Sequence, residues 1–323
     1  MNGARAPRPT DLVALVSFDD ELVANEAVTR QRLGRPPEPP HPLAATMQRW
    51  LGRERRVWID VHGRQIQGIA TARELAGREA WEIDTLADAS GDGHEVTTEL
   101  LRQATTAAAK ARVEHLLLRM RADAPGIDAA RRAGFVLALQ ERLWCGPPPP
   151  SAAPSDTGSL GACEVREAQT EDAMALFQLH NRALPVGTRQ AVAMTFEEWQ
   201  VVQDRRWTGR GAREYVAIQD GRVQGTLLVS AAQGDHGGQI TLLVEPQADE
   251  VARALLRAAA PRLRTCEHVL ALLPECASTP VGVLRSLGFE AGEEYLLLAA
   301  RTAAIARDAM PVRAARAVVP TRG

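Results

Sequence analysis

Two strand–loop–helix units constrain the fold of this chain more than any other feature of its sequence. In the second unit, residues 240–244 form a short apolar run of strand length. From residue 249 onward, apolar residues such as Val251 and Leu255 recur at the spacing of a helix. A counterpart occupies residues 81–111 of the first half. The chain therefore has to accommodate the same supersecondary unit twice.

Short matched segments indicate that the two halves are a diverged internal repeat. Residues 63–68 (GRQIQG) match residues 221–225 (GRVQG), and residues 132–135 (RAGF) match residues 286–289 (SLGF). Both matches occur in the same order and with nearly the same offset along the chain. Together they argue for a duplication more strongly than either match would alone.

The elements around the two units follow one order: helices, a hairpin, the strand–loop–helix unit, a strand, a short helix and a last strand. In the first half we predict a frayed tail over residues 1–9 and helices over residues 11–32 and 43–51. Turn residues at 62–64 and 220–222 predict the two hairpins. The predicted fold class is α+β, with two domains that are each a mixed, mostly antiparallel sheet flanked by helices.

A segment rich in proline, residues 146–161, marks the clearest boundary. Its prolines cannot join a helix or the interior of a sheet, and its small polar residues cannot build a core. We interpret it as an interdomain linker, and the alternative is a proline-rich ligand for a partner domain. The predicted domains cover residues 1–145 and 162–301, followed by a tail over residues 302–323.

Composition narrows the classes of function. The chain has 323 residues, which suits two domains, and a net charge of -2, which gives no indication of binding to nucleic acid or to an anionic membrane. Its four cysteines and seven histidines show no spacing typical of a metal site or a disulfide framework. No apolar run has the length of a membrane span. We therefore expect a cytoplasmic protein without a metal, which binds neither nucleic acid nor membrane.

The order of elements resembles, twice over, that of the GNAT superfamily of N-acetyltransferases. The resemblance also rests on pieces such as residues 242–246 (LLVEP), 254–256 (ALL) and the Gly288-Phe289 pair. It implies transfer of an acetyl group from acetyl-CoA to an amine of a small molecule or a protein. In known enzymes with two GNAT copies, such as mycothiol synthase, one copy does the chemistry.

In this family the loop between the central strand and its helix carries the pattern Arg/Gln-x-x-Gly-x-Gly/Ala. Its exposed backbone and the helix N-terminus hold the pyrophosphate of acetyl-CoA. In the first copy the resemblance leaves only Gly93 of the glycines, with Asp92 and Glu95 nearby; residues 247–252 of the second copy lack glycine and are acidic. Such acids either stabilise the helix or repel a phosphate. Because the first loop has the family's length, we expect the first copy to be the one that binds CoA, if either does.

The resemblance also indicates site residues. Strand N–H groups would hold the thioester carbonyl, and Glu82 and Asp84, on one face of the first central strand, are the candidate bases for the amine. The alternative for these two acids is pairing with an arginine. The family's tyrosine acid is replaced by Ala130 and Leu284. The candidate cofactor-binding residues are Leu86, Ala87, Gly93, Val96, Thr97, Leu242 and Val244.

Two functions remain open at this point. One is a GNAT-type, acyl-CoA-dependent N-acyltransferase, which the resemblance favours. The other is a non-catalytic protein of the same fold that binds a small molecule or joins an assembly, which the missing loop glycines and tyrosine favour. The expected partners are a small-molecule amine or an acyl-CoA, and a homodimer is one assembly that the sequence allows.

Overall fold

The architecture is taken from a computed structural model of the chain. The structure describes residues 3–19, 23–34, 40–51, 55–75, 80–91, 94–150, 163–183, 196, 199, 212–231 and 237–302. Within these ranges, the chain forms twelve strands and seven α-helices. None of the helices in these ranges has both the length and the apolar character needed to cross a membrane.

Each half contributes six strands. The first half contains β1 (Gly3–Arg5), β2 (Arg55–His62), β3 (Gln65–Glu74), β4 (Ala80–Asp88), β5 (His115–Arg121) and β6 (Val136–Gly146), with helices α1 (Leu12–Asp19), α2 (Pro42–Leu51), α3 (Glu95–Lys110) and α4 (Ile127–Arg132). The second half contains β7 (Glu164–Glu167), β8 (Arg213–Gln219), β9 (Arg222–Ala231), β10 (Gly238–Val244), β11 (Val269–Pro274) and β12 (Glu290–Arg301), with helices α5 (Ala173–Ala183), α6 (Asp249–Leu263) and α7 (Ser278–Ser286). The predicted units are therefore β4–α3 and β10–α6.

Two predictions for the N-terminal region are wrong. Residues 3–5 do not form a frayed tail, because they pair with β2 as an edge strand. The helix predicted over residues 11–32 ends at residue 19, and residues 23–29 have no regular secondary structure before a 3-10 turn at Arg30–Arg32. The backbone of this segment bonds to strands of the sheet instead of forming a longer helix.

The two halves begin with the same ion pair. Arg5 donates from both terminal nitrogens to Asp11 at 2.7 Å, and Arg166 donates likewise to Asp172 at 2.7 and 2.8 Å. The hydrogen bonds from the arginines lower the pKa of both aspartates. The repeat therefore extends to the first strand of each half, beyond the matches found in the sequence.

All twelve strands form one continuous sheet in the order β1-β2-β3-β4-β5-β12-β6-β11-β10-β9-β8-β7. The halves exchange their last strands, because β12 lies between β5 and β6, while β6 pairs with β11. The only parallel pairs in the described ranges are β4–β5 and β10–β11. The mixed, mostly antiparallel sheet flanked by helices is confirmed, and the two predicted sheets are joined into one.

Helices α3 and α6 pack tightly over two equivalent glycines. A Cβ atom at Gly68 would lie 2.5 Å from a methyl group of Val96, and one at Gly225 would lie 2.7 Å from a methyl group of Val251. Any larger residue would push the helix away from the sheet. This close approach explains why both copies of the matched segment in β3 and β9 end in glycine.

Candidate functional site

Two V-shaped gaps open in the sheet, one in each copy. Parallel pairing between β4 and β5 covers only residues 80–83 and 115–118, although β4 continues for five more residues. Pairing between β10 and β11 covers only residues 238–240 and 269–271. In open sheets, ligands bind beyond the carboxyl ends of parallel strands. We call the space between β4 and β5 the first gap and the space between β10 and β11 the second gap.

The first gap is filled by residues 25–28, which we call the plug. The side-chain oxygen of Asn25 accepts the backbone N–H of Leu86 at 2.8 Å, and the backbone N–H of Glu26 donates to the carbonyl of Leu86 at 2.8 Å. Asn25 is buried. Both backbone groups of Leu86 are therefore bonded to the chain's own residues on the β4 side of the gap.

The plug also bonds to the opposite wall of the first gap. The backbone N–H of Val28 donates to the carbonyl of Arg119 on β5 at 2.8 Å. The Glu26 carboxylate accepts the N–H of Gly126, just before α4, at 2.8 Å, and burial raises the pKa of this carboxyl. The plug thus joins the two walls in the way that an inserted strand would, and it closes the part of the gap that it spans.

The N-terminus of α3 is occupied by the carboxylate of Asp88. One oxygen accepts the backbone N–H and the hydroxyl of Thr97 at 3.2 and 2.8 Å, and the other accepts the N–H of Ser90 at 2.9 Å. Burial acts to raise the pKa of Asp88, but these hydrogen bonds outweigh it and the pKa is lowered. An ionised side chain of the protein therefore fills the place where a helix N-terminus would bind an external anion.

The predicted cofactor-binding residues of the first copy are bonded to other residues of the chain, buried, or outside the described residues. Leu86 and Thr97 bond to the plug and to Asp88. Val96 is buried in the core, and Ala87 is a buried residue of the β3–β4 ladder. Gly93 lies outside the described residues. The backbone of Leu86 and the N–H of Thr97 are therefore both engaged by groups of the chain itself.

The backbone hydrogen bonds along β10, at the second gap, differ from those along β4 at the first gap. The N–H of Glu245 donates to the carbonyl of Gln224 on β9 at 2.9 Å, and the N–H of Gly238 donates to the carbonyl of His268, just before β11, at 2.8 Å. Because backbone groups alternate in direction along an antiparallel strand, those of Leu242 and Val244 are directed into the second gap. In the part of the chain that the structure describes, no segment pairs with this edge of β10 beyond residue 240.

The N-terminus of α6 differs from that of α3. No described side chain caps it, and its first residues, Asp249 and Glu250, are exposed. The preceding loop is held by Gln247, whose backbone lies in the left-handed region with φ of 66° and whose N–H donates to the hydroxyl of Thr279 at 2.8 Å. This helix start carries exposed acids, and none of the described side chains accepts its N–H groups in the way that Asp88 does at α3.

A small cleft lies where the second gap begins, with an enclosed volume of about 10 Å³, which is room for about one water molecule. Strands β10 and β11 contribute Gln239, Ile240, Thr241, Leu270 and Leu272 to its lining. The first half contributes Arg30 and Leu33, which follow the plug in the sequence. One segment of the first half therefore closes the first gap and then forms a wall of this cleft.

The two candidate bases, Glu82 and Asp84, are buried and paired with arginines. Glu82 accepts from Nε of Arg73 at 2.9 Å and lies 3.6 Å from a terminal nitrogen of Arg119. Asp84 is paired with Arg55. The structure therefore shows the arginine-paired alternative, and both carboxylates are engaged in ion pairs rather than placed to accept a proton from an amine.

A row of charges continues from Glu82 across the sheet. Arg119 donates from Nε to Glu141 on β6 at 2.7 Å, and Glu141 also lies 3.5 Å from a terminal nitrogen of Arg30. We call Arg73, Glu82, Arg119, Glu141 and Arg30 the charge row. It crosses β12 and links the first gap to the cleft of the second gap.

Sequence reasoning did not find Asn25, Asp88 or Arg30. The partners of Asn25 and Arg30 lie far away in the sequence, so no local pattern indicated their contacts. Asp88 carried a usable signal, because an aspartate two residues before a serine favours a local turn at the end of a strand. Ala130 and Leu284, which replace the expected tyrosine, are both fully buried.

Two further site predictions concern metal binding and the cofactor-binding residues of β10. They contain no group of three or more His, Cys, Asp or Glu side chains that could hold a metal ion. Leu242 and Val244 are the two predicted cofactor residues whose strand edge still faces a gap. Among the described residues, the first gap is bridged by the plug, and no segment bridges the second gap beyond residue 240 of β10.

Solved structures with GNAT folds resemble this chain over most of its length. A tandem GNAT protein from the clavulanic acid biosynthesis pathway has a TM-score of 0.53 at 15% identity, covering 94% of this chain and 99% of that chain. A GCN5-related N-acetyltransferase from Sphaerobacter thermophilus has a TM-score of 0.50 at 18% identity, covering 93% and 96%.

A third likeness is to the GCN5-related glucosamine N-acetyltransferase region of a fungal multi-domain GH3 β-N-acetylglucosaminidase. It has a TM-score of 0.53 at 12% identity and covers 93% of this chain and 38% of that chain. No model of a known protein family and no curated protein matches the sequence. The likenesses establish the fold, which is that of a tandem GNAT protein.

Proposed function

We propose that this chain, folded as a tandem GNAT protein, is an N-acyltransferase that uses acetyl-CoA or a related acyl-CoA in the second copy only. The observation that carries the proposal is the contrast between Leu242, whose backbone is directed into the second gap, and Leu86, whose backbone is bonded to the plug. A strand N–H can hold a thioester carbonyl, and a strand edge can pair with the amides of an extended ligand.

The residues of the second copy fit such a ligand in two respects. The edge of β10 offers backbone donors at Leu242 and Val244. The start of α6, which no side chain in the described ranges caps, offers N–H groups for phosphate oxygens. Asp249 and Glu250 oppose the ligand, because they place negative charge near the same helix start. We therefore expect acyl-CoA binding that is weaker than an uncharged loop of the same geometry would give.

Acyl transfer requires a group that stabilises the thioester oxygen, an acceptor for the proton of the amine and a donor of a proton to the thiolate. Backbone N–H groups of β10 would stabilise the negative charge that develops on the thioester oxygen when the amine attacks. Glu245 follows β10 but is paired with Arg182 at 2.7 Å, as Glu82 and Asp84 are paired with arginines, so we expect the proton of the amine to pass to solvent. Ala130 and Leu284, which stand at the family's tyrosine positions, cannot donate a proton to the departing thiolate, and we expect solvent to supply it.

The first copy has a structural role in this proposal. It provides β6, which pairs with β11, and the segment that lines the cleft of the second copy. Its own gap is closed by the plug, and the start of α3 is occupied by Asp88. One thioester site per chain follows from this division of roles.

A second candidate function is a binding protein of the same fold without transferase activity. The replacement of the expected tyrosine by buried Ala130 and Leu284, and the acids at the starts of α3 and α6, favour it. In that case the second gap would bind a small molecule without turning it over. Binding and turnover therefore have to be measured separately.

Titration calorimetry of the full chain with acetyl-CoA, followed by a thiol-release assay with a panel of amines, tests the proposal. We expect one binding site per chain and release of CoA that depends on an amine. Two sites per chain would contradict the role given to the first copy. Binding of one acetyl-CoA with no thiol release from any amine would favour the non-catalytic alternative.

A further inference from the structure

Helices α1 and α2, which pack against each other, carry most of the exposed apolar surface of the described chain. Five large apolar side chains on these two helices are at least 43% exposed. They are Leu12, Val13, Val16, Met47 and Trp50, and we call them the apolar face. Three other large apolar side chains in the described ranges are exposed, two on β6 and one on α5. Exposed apolar side chains that are grouped in this way mark a contact site, whereas single ones do not.

Helix α1 is apolar on the side away from the sheet as well as on the side that faces it. Residues 12–18 (LVALVSF) contain six apolar side chains and no charged one. Leu15 and Phe18 are buried against β2 and β3, whereas Val13 on the other side is 77% exposed. A helix that is hydrophobic all round is normally buried on all sides. The outer side of α1 therefore indicates a second contact, which the described residues of one chain do not supply.

The second copy covers the equivalent place with its own side chains. The aspartates of the two matching ion pairs are 161 residues apart, as are Val16 of α1 and Phe177 of α5. Phe177 packs edge-on against Phe196 and Trp199, with ring centroids 5.5 and 5.7 Å away. Val16 remains 46% exposed. The two copies therefore differ at this helix, and among the described residues the first copy leaves it open.

We propose that the apolar face binds the same face of a second copy of this chain. The protein is then a homodimer with a two-fold axis between the two α1 helices. Because a two-fold axis makes each copy present the same surface, the α1 helices pack antiparallel, with Val13 of one copy near Val16 of the other.

The charges at the ends of α1 favour a second copy as the occupant. Arg8 is exposed one turn before α1, and Asp19 is the last residue of the helix. In an antiparallel pair, the basic start of each helix lies beside the acidic end of the other, and the helix dipoles are opposed. The net charge of -2 gives no attraction to an anionic membrane, which is the other surface that an apolar helix face contacts.

The area of the apolar face also agrees with a dimer. Five large apolar side chains that are about half exposed leave on the order of 400 Å² of apolar surface. Two copies would contribute about 800 Å² of apolar core, and a polar rim brings the total into the range of about 1,200–2,000 Å² typical of stable interfaces. Tryptophan and methionine are enriched at the centres of such interfaces, as Trp50 and Met47 would be here.

The proposed interface is separate from the second gap. Helix α1 packs on β2 and β3, and six strand spacings separate β3 from β10 in the sheet order. At about 4.8 Å each, these spacings amount to about 29 Å. The dimer therefore leaves the second gap open, and it does not depend on the proposed acyltransferase function.

Sedimentation of the full chain over about 1–100 µM tests the dimer. We expect a dimer for the wild type. Val13→Glu places two unpaired carboxylates in the interface and should weaken the dimer at least about a hundredfold. The chain should still fold, because Val13 is exposed in one chain, and circular dichroism checks this. Met174→Glu is the matched control, because Met174 is the equivalent exposed position of α5 and should leave the dimer unchanged.

Charge reversal tests the antiparallel arrangement. Arg8→Glu alone and Asp19→Arg alone should each weaken the dimer about threefold or more, because each brings like charges together. Mixing the two variants should restore wild-type affinity in the heterodimer, where each reversed charge meets its opposite. A fold defect within one chain would not be repaired by mixing, and failure of mixing to restore affinity would contradict the antiparallel pairing.

The remaining outcomes would overturn the proposed interface. A wild type that stays monomeric at about 100 µM would do so, since a stable interface of this size assembles well below that concentration. Undiminished dimerisation of folded Val13→Glu, or equal weakening by Met174→Glu, would place the contact on another surface. A monomer that binds anionic vesicles, and loses this binding in Val13→Glu, would identify a membrane as the occupant instead.

Discussion

The side-chain oxygen of Asn25 accepts the backbone N–H of Leu86 at 2.8 Å, so that one copy of the repeat closes its own central gap. Leu242 is the residue that stands at the equivalent place of β10, because Gly68 and Gly225 and the carbonyls before them align the two copies. Its backbone is directed into a gap that no other described segment pairs with. This difference between two related strands is the basis for assigning structure to the first copy and ligand binding to the second.

Replacing Asn25 by alanine is expected to destabilise the protein. The variant removes an acceptor from the buried N–H of Leu86 and leaves that group unsatisfied, which costs about 1–3 kcal/mol. Urea unfolding followed by circular dichroism measures the change. Gln31→Ala, in the same segment and with no side-chain hydrogen bond among the described residues, is the control. Equal stability of Asn25→Ala and the wild type would mean that the plug is not held as described.

Neutralising an acid at the start of α6 is expected to tighten acetyl-CoA binding. Glu250→Gln removes a negative charge beside the proposed phosphate position, worth about 0.3–1 kcal/mol, or about two- to fivefold in Kd. Glu95→Gln is the matched variant in α3, where Asp88 already occupies the helix start. Calorimetry should show no change for Glu95→Gln. A larger gain from Glu95→Gln than from Glu250→Gln would place the site in the first copy.

The stability that Asp88 provides is expected to disappear in acid. Because the folded state lowers the pKa of this carboxyl, its contribution is present above the ordinary aspartate pKa of about 3.9 and is lost as pH falls through the lower folded pKa. Asp88→Asn should cost about 1 kcal/mol at pH 7, because asparagine keeps one acceptor oxygen where both oxygens of Asp88 accept hydrogen bonds. The unfolding free energies of the two proteins should converge as the pH falls below about 3.9 and through the lower folded pKa of Asp88.

The control for this pH dependence is Asp128→Asn, at an exposed carboxylate in the first turn of α4. The unfolding free energy of Asp128→Asn should change with pH in the same way as that of the wild type. A constant difference between Asp88→Asn and the wild type down to pH 2 would show that the ionised form of Asp88 is not what the fold stabilises.

The exchange of last strands predicts that the two halves stay together after the linker is cut. Both sheet neighbours of β6, namely β12 and β11, belong to the second half. A protease site inserted within residues 151–160 should allow cleavage, and the fragments should still elute as one species in size-exclusion chromatography until denaturant is added. Separation of the fragments in plain buffer would contradict the exchange. The linker and domain boundaries proposed from the sequence are tested by the same experiment.

The sequence predicted most of the strands and helices because their determinants are local. The apolar run of β10 and the helical spacing of α6 each lie within a few consecutive residues. The exchange of β6 and β12 could not be predicted, because both arrangements of these strands bury the same apolar faces. The choice between them depends on pairing between segments that are far apart in the chain.

Prediction of the candidate site was likewise limited to features that depend on neighbouring residues in the sequence. Leu242 and Val244 could be placed on β10 from the strand pattern, and their role in binding a cofactor stays a prediction. The same reasoning placed Leu86 in an open gap, because nothing near it in the sequence reveals that Asn25 lies across from it. The acids Glu82 and Asp84 were located on one face of β4, but their arginine partners come from other strands.

Hydrogen exchange measured by mass spectrometry, with and without acetyl-CoA, tests the central claim most directly. If the second copy alone binds the thioester, peptides covering β10 and the start of α6 should become protected, while peptides covering β4 should be slow to exchange already and unchanged by the ligand. Protection of β4 and the α3 start on addition of acetyl-CoA, with no change in β10, would contradict the account.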